Sequence, residues 1–138
     1  MARSRKPRRG RRVRTREAKA RSLQGSWRLA TNRTSSLTKK QATDIVTNPG
    51  ACPYCGKAIP WQDISLDHVQ PRSKGGQNHP DNIVVTDRTC NLSKGDLTGD
   101  EFKALMDFLA PYPEMKSSVL VRLRIAGAKY GRYGRRRR

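Results

Sequence analysis

One short stretch of this chain holds the groups that can do chemistry together: Asp67-His68, then Asn82, then Asn91. Near neutral pH an unprotonated imidazole can take a proton from water, so His68 qualifies as a general base. Asp67 adds a carboxylate beside it, and the two asparagines add amides able to hold a loop or bind a ligand. Nothing else in the sequence has the makings of a reaction centre. Cysteines at metal-ligand spacing flank the stretch: Cys52-Pro53-Tyr54-Cys55-Gly56 on one side and Cys90 on the other.

Three cysteines are an odd number, which argues against a closed disulfide framework. Two thiolates separated by two residues can reach one ion, with Gly56 allowing the tight turn. Cys90 supplies a third thiolate. Asp87 precedes Cys90 by the same interval that separates Cys52 from Cys55, so the expected site is a structural Zn²⁺ held by Cys52, Cys55, Asp87 and Cys90. His79 is another candidate for the fourth ligand. The remaining reading is a metal-free knuckle whose cysteines are small buried apolar groups. A reducing compartment suits all three.

The elements that position these residues are short. Thr38 and Gln41 have the spacing of a capping box, which predicts a helix over 39–47 that Asn48-Pro49-Gly50 ends. Extended segments are expected around Ala58–Ile59 and Ile64–His68, with a turn at Pro60-Trp61-Gln62-Asp63. A polar loop follows from Pro71 to Pro80, where Gly75-Gly76 permits close backbone approach. Residues 82–86 are a strand candidate or the lead into a helix over 88–95. Asp100 is expected to cap a helix over 101–109, with Phe102, Leu105, Met106 and Leu109 on one face. A last helix over 114–126 carries Val119, Leu120 and Leu123. Trp27 and Leu29 would anchor the preceding linker to the core or stack on bases.

The chain of 138 residues carries a formal charge of +19, with 34% hydrophobic and 30% charged residues. That suits one small core in need of a staple. The charge is lopsided: residues 1–22 hold 11 Lys and Arg against a single acid, Glu17, and residues 122–138 hold eight and no acid. These stretches are too polar to bury and repel themselves, so they are expected to be mobile arms that seek a polyanion. Nucleic acid is the favoured partner because each neutralised phosphate releases counterions. The arms lack the interleaved apolar residues of a membrane-surface helix. With no long apolar run or signal-peptide segment, a soluble, cytoplasmic protein is expected. The expected organisation is a basic arm over 1–22, a linker over 23–36, a domain over 37–128 with its motif core at 52–96, and a basic tail over 129–138.

The stretch 52–96 resembles the HNH endonucleases. The matching residues are Cys52-Pro53-Tyr54-Cys55-Gly56, Leu66-Asp67-His68-Val69-Gln70-Pro71, Ser73-Lys74-Gly75-Gly76, Pro80-Asp81-Asn82-Ile83-Val84 and Cys90-Asn91-Leu92-Ser93-Lys94-Gly95-Asp96. The resemblance implies an α+β fold: a small ββα-metal nuclease core with flanking helices and disordered basic arms. It implies that His68 is the general base, that Asp67 is a ligand of a catalytic divalent ion, and that the Asn82 amide pins the loop that orients the histidine. Asn91 stands where many members have His, which makes this an H-N-N variant. An amide oxygen there is a harder ligand than imidazole and suits Mg²⁺ or Mn²⁺. Adjacent strand residues point to opposite sides, so joint use of Asp67 and His68 calls for a bend or bulge.

The activity so implied is cleavage of DNA phosphodiesters to 5′-phosphate and 3′-hydroxyl ends. The DNA backbone would be held by Arg72, Lys74, Arg88 and Lys94 and by Arg8, Arg9, Arg11 and Arg12 of the arm. Such phosphate contacts position but do not specify. The small basic form resembles free-standing phage or bacterial members, acting as a monomer or weak dimer. A non-catalytic zinc-knuckle nucleic-acid-binding protein is the competing reading. A zinc deaminase needs a His-x-Glu step, which neither His68-Val69-Gln70 nor His79-Pro80-Asp81 supplies.

Overall fold

The structure is a computed structural model that describes residues 15–134, with side chains to residue 127. Arg8, Arg9, Arg11 and Arg12 lie outside the described residues. The order of elements is α1 (Arg16–Ala30), α2 (Lys39–Thr47), β1 (Ile64–His68), β2 (Ile83–Asp87), α3 (Arg88–Lys94), α4 (Gly99–Leu109) and α5 (Pro113–Gly134). The fold is α+β, as the sequence led one to expect.

The chain begins differently from the sequence reading. Residues 16–30, assigned to a mobile arm and a linker, form α1. Thr15 caps it by accepting from the Ala18 amide, and Glu17 lies in its first turn. Ala20 and Leu23 recur at helical spacing and are buried in the core, so burial outweighs the charge of the residues around them. Lys19 Nζ donates to the carbonyls of Gln62 (3.2 Å) and Ile64 (2.9 Å), which ties α1 to the start of β1. The helix α2 runs over 39–47 with both halves of the Thr38–Gln41 capping box formed.

The two strands pair antiparallel in continuous register, from Ile64 opposite Asp87 to His68 opposite Ile83. The earlier extended segment, by contrast, forms only an isolated bridge between Ala51 and Ala58. Helix α3 follows β2 at once, giving the ββα unit, and Gly95 ends it at a φ of 51°. Helix α4 starts two residues earlier than expected, because Thr98 rather than Asp100 is its cap. Helix α5 runs on to Gly134, past the predicted end at 126 and into the segment assigned to the tail.

The core joins Ala20 and Leu23 of α1, Ala42 and Val46 of α2, Ile64 of β1, Cys90 of α3, and Phe102 and Met106 of α4. Tyr54 meets Phe102 edge to face, with ring centroids 5.4 Å apart. The first turn of α4 is sewn to the chain after β1 by the Gly99 amide, which donates to the Val69 carbonyl at 2.8 Å. A Cβ at Gly99 would stand 2.9 Å from Val69 Cγ1, so a larger residue there would have to displace the Val69 side chain. These contacts brace the end of β1 from behind.

Candidate active site

Asp67 and His68 end β1 without the expected bulge: the ladder is regular through both, and Val69 extends it by donating to the Asn82 carbonyl. Their side chains nevertheless border one shallow cleft of about 250 Å³, together with Arg72, Ser73, Asn91 and Asp96. The chain turns away immediately after the strand, so inward and outward positions both abut the opening.

His68 is half-buried, and its Nε2 lies 2.9 Å from Asn78 Oδ1. With a carbonyl oxygen as partner, Nε2 carries the proton and Nδ1 keeps its lone pair. Asn78 has no distinguishing sequence signal and was not among the expected residues. Asn82 was, and its amide does hold the loop. Oδ1 accepts from the Gln70 amide at 2.9 Å, while Nδ2 donates to the carbonyls of Gln70 (3.0 Å) and Gln77 (2.9 Å). The two ends of the 70–77 loop are thereby clamped, which places Asn78 against His68.

Gly76 makes the clamp possible. A Cβ there would fall 1.7 Å from the Gln70 carbonyl oxygen, so the two backbones meet only because no side chain intervenes. Gly76→Ala should therefore open the loop and cost about 1–3 kcal/mol. Urea denaturation checks this, and an unchanged midpoint would mean the loop refolds around the methyl group.

Lys94 departs from its expected place on the DNA-facing surface. Because α3 packs on β1, the side chain runs beneath the strand and is buried. Nζ lies 3.2 Å from Asp67 Oδ2 and 3.3 Å from Oδ1, and donates to the His68 carbonyl at 2.9 Å. Tyr54 Oη donates to Asp67 Oδ2 at 2.7 Å. Burial, and then the bond to Asp67, holds the Tyr54 phenol protonated well above its ordinary range. Asn91 Nδ2 donates to Ser65 Oγ (2.7 Å) and the Leu66 carbonyl (3.0 Å), leaving Oδ1 as its ligand atom. Asp67 and Asn91 thus offer hard oxygens on one cleft, although a cation at Asp67 would share that carboxylate with Lys94. Asp96, held by Ser73 Oγ at 3.2 Å, is a second carboxylate on this cleft. Of the other basic residues, Arg72 and Arg88 are exposed, and Lys74 pairs with Glu101 at 3.0 Å.

The cysteines converge. The sulfurs of Cys52, Cys55 and Cys90 all lie within 4.8 Å of one another, and could hold a metal ion. Tetrahedral thiolates on zinc stand about 3.8 Å apart, so little adjustment is needed. Burial alone would push the Cys52 thiol up, but backbone N–H groups of Asp87, Cys55 and Tyr54 outweigh it and hold the thiol below its usual value. Burial, and then the neighbouring cysteines, pushes Cys90 up. Three thiolates crowded together need a cation to ionise jointly.

Asp87 does not complete this set. It is the N-cap of α3, its Oδ1 accepting from the Thr89 amide at 2.7 Å. The residue three before Cys90 stands where strand meets helix; its Oδ1 serves the cap, and its carboxylate is not among the ligand atoms that gather at the cysteines. His79 does not join either: its Nδ1 accepts from the Asp81 amide.

Residues 52–106 match the family described as HNH endonuclease. A stretch of 45 residues is 40% identical to the CRISPR-associated endonuclease Cas9 of Corynebacterium diphtheriae. That match covers 32% of this chain and 4% of the relative's length, so the chain spans only a small share of the curated protein it resembles. Among the described residues no helix is long and apolar enough to cross a membrane.

Proposed function

With residues 52–106 matching the HNH endonuclease family, we propose that this chain is a metal-dependent DNA endonuclease in which His68 activates the attacking water. The observation that carries the reading is the 2.9 Å contact from Asn78 to His68 Nε2, which leaves Nδ1 as a base at a cleft bordered by Asp67 and Asn91. Nδ1 takes the proton as water attacks phosphorus in line. Asn78, held in place by the Asn82 clamp, fixes the imidazole through Nε2 at the border of the cleft. Arg72, exposed at the rim, draws in the scissile phosphate. Asp67 and the Asn91 carbonyl would hold Mg²⁺ or Mn²⁺, which when bound neutralises charge on the phosphate and the departing 3′ oxygen. The products are a 5′-phosphate and a 3′-hydroxyl. One such site per chain cuts one strand at a time, so a monomer nicks the duplex and a weak dimer with paired sites cuts both strands.

Supercoiled plasmid incubated with the full chain decides between this and a non-catalytic binding protein. Nicking with Mg²⁺ or Mn²⁺ that EDTA abolishes is the expected result. Binding without cleavage in either ion would favour the non-catalytic alternative.

The thiolate cluster is assigned to structural Zn²⁺, completed by a fourth ligand other than Asp87. Elemental analysis of protein purified without chelator should find one zinc per chain. Stripping it should lower Tm by about 10 °C or more, given that 1 kcal/mol moves Tm by roughly 4–8 °C in a small domain. A Tm that survives stripping would mean the cysteines pack as a metal-free knuckle.

A further inference from the structure

A second cleft, of about 640 Å³, lies against α1 and the turn after it, apart from the residues of the catalytic motif. Arg21, Gln24, Gly25 and Arg28 form its helical wall and share one face at i, i+3, i+4 and i+7. Arg33 and the Thr34–Leu37 segment form the other wall. Among the described residues, three arginines border this cleft and no acidic residue does. Glu17, which attracts Arg21, sits one turn earlier, where its carboxyl is held below the usual range first by its own backbone amide and then by Thr15.

Two costly backbone features build this cleft. Gly25 stands inside a 15-residue helix, where glycine costs about 1 kcal/mol relative to alanine. No packing demand accounts for it, since a Cβ there would meet nothing within 4 Å. Asn32 and Arg33 then take consecutive left-handed conformations, at φ of 51° and 62°. For a residue such as arginine this is strained, and strain of this kind gathers at functional sites. The turn is fastened by the Arg33 amide to the Arg28 carbonyl (2.6 Å), and by the buried Thr31 hydroxyl to the carbonyls of Trp27 (2.9 Å) and Ser35 (3.2 Å). Trp27 Nε1 donates to Ser35 Oγ at 3.0 Å, so this tryptophan anchors the turn. The result is a rigid frame that sets Arg33 across from Arg28.

We propose that this cleft holds the sugar–phosphate backbone of duplex DNA, with Arg21, Arg28 and Arg33 on successive phosphates and Gly25 giving the strand room to lie against the helix. Guanidinium groups on a fixed frame suit phosphate oxygens, and backbone contacts of this kind set register without reading sequence. The Lys19 bonds to the carbonyls of Gln62 and Ile64 join this helix to the strand bearing His68, so DNA seated here is held in a fixed relation to the base. The identity of the polyanion rests on the endonuclease reading; the cleft itself does not.

The test measures binding of a fluorescent DNA duplex to the full chain in EDTA across a salt series, with plasmid nicking followed in parallel. Arg28→Gln/Arg33→Gln should lower the slope of log affinity against log salt by about 2, since each neutralised phosphate contributes about 0.9. Gly25→Glu places a carboxylate at pair-forming distance from Arg21 and Arg28, so the helix is strengthened while the arginines are occupied. It should weaken binding about tenfold, whereas Ser26→Glu, with the same charge on the neighbouring exposed position, should change binding less than threefold. An unchanged slope in the double variant, or equal losses from the two glutamates, overturns the proposal. Altered binding without nicking by any form of the protein leaves the cleft assignment standing and removes the nuclease. Nicking with an unaltered salt slope does the reverse.

Discussion

His68→Ala should slow plasmid nicking by about 10²–10⁴-fold, the span that positioned general bases contribute. DNA affinity should stay within about twofold, because the imidazole lies at the end of β1 and is not among the cationic groups. The magnitude rests on how firmly the ring is held. Asn78 bonds Nε2, and it directly follows Gln77, the end of the 70–77 loop that Asn82 clamps. Asn78→Ala should therefore lower the rate less than His68→Ala, by letting the proton move between the two ring nitrogens. Single-turnover rates at saturating enzyme separate the two effects from binding. Undiminished nicking by His68→Ala would place the activity at another site or in a contaminant.

Lys94→Met should destabilise the chain by about 3–5 kcal/mol, as expected when one partner of a buried ion pair is removed. The Asp67 carboxylate would remain buried with only the Tyr54 hydroxyl beside it, and the His68 carbonyl would lose its donor. Urea denaturation in EDTA gives the size of the loss. Repeating the titration in millimolar Mg²⁺ then asks what Asp67 is for. If Asp67 is a ligand of the catalytic ion, Mg²⁺ should restore more stability to Lys94→Met than to the unaltered chain, because the lysine no longer competes for the carboxylate. Equal shifts would make the Asp67–Lys94 pair a structural strut and leave Asn91 and Asp96 as the cleft's candidate metal ligands.

Much of this arrangement was legible because it is local. The Thr38–Gln41 box, the apolar face of α4 and the glycine that ends α3 each depend on residues a few positions apart, where helical geometry leaves little choice. The cysteine spacing likewise foretold a cluster, since two thiols three positions apart on a tight turn point the same way. Other features depended on long-range packing. Residues 16–22 read as an arm because their charge dominates, yet Ala20 and Leu23 suffice to dock the helix against α2. Lys94 read as a surface cation because lysine usually is one, and only the packing of α3 on β1 places it beneath the strand. Asp87 fitted a ligand spacing and became a cap, because it stands at the strand-to-helix junction.

The sequence by itself determined which groups are present and the order in which the chain offers them: the Asp-His step, the two amides, the thiolates and the excess of arginine. It also determined the short-range elements that carry them. The tertiary structure alone decided which groups meet. It gave His68 its partner in Asn78, gave Asp67 to Lys94, withheld Asp87 from the cysteines, and drew Arg21, Arg28 and Arg33 around Gly25. Helical and strand periodicities are set by neighbouring residues, whereas a hydrogen bond or ion pair between distant residues exists only after the core has fixed how the elements dock.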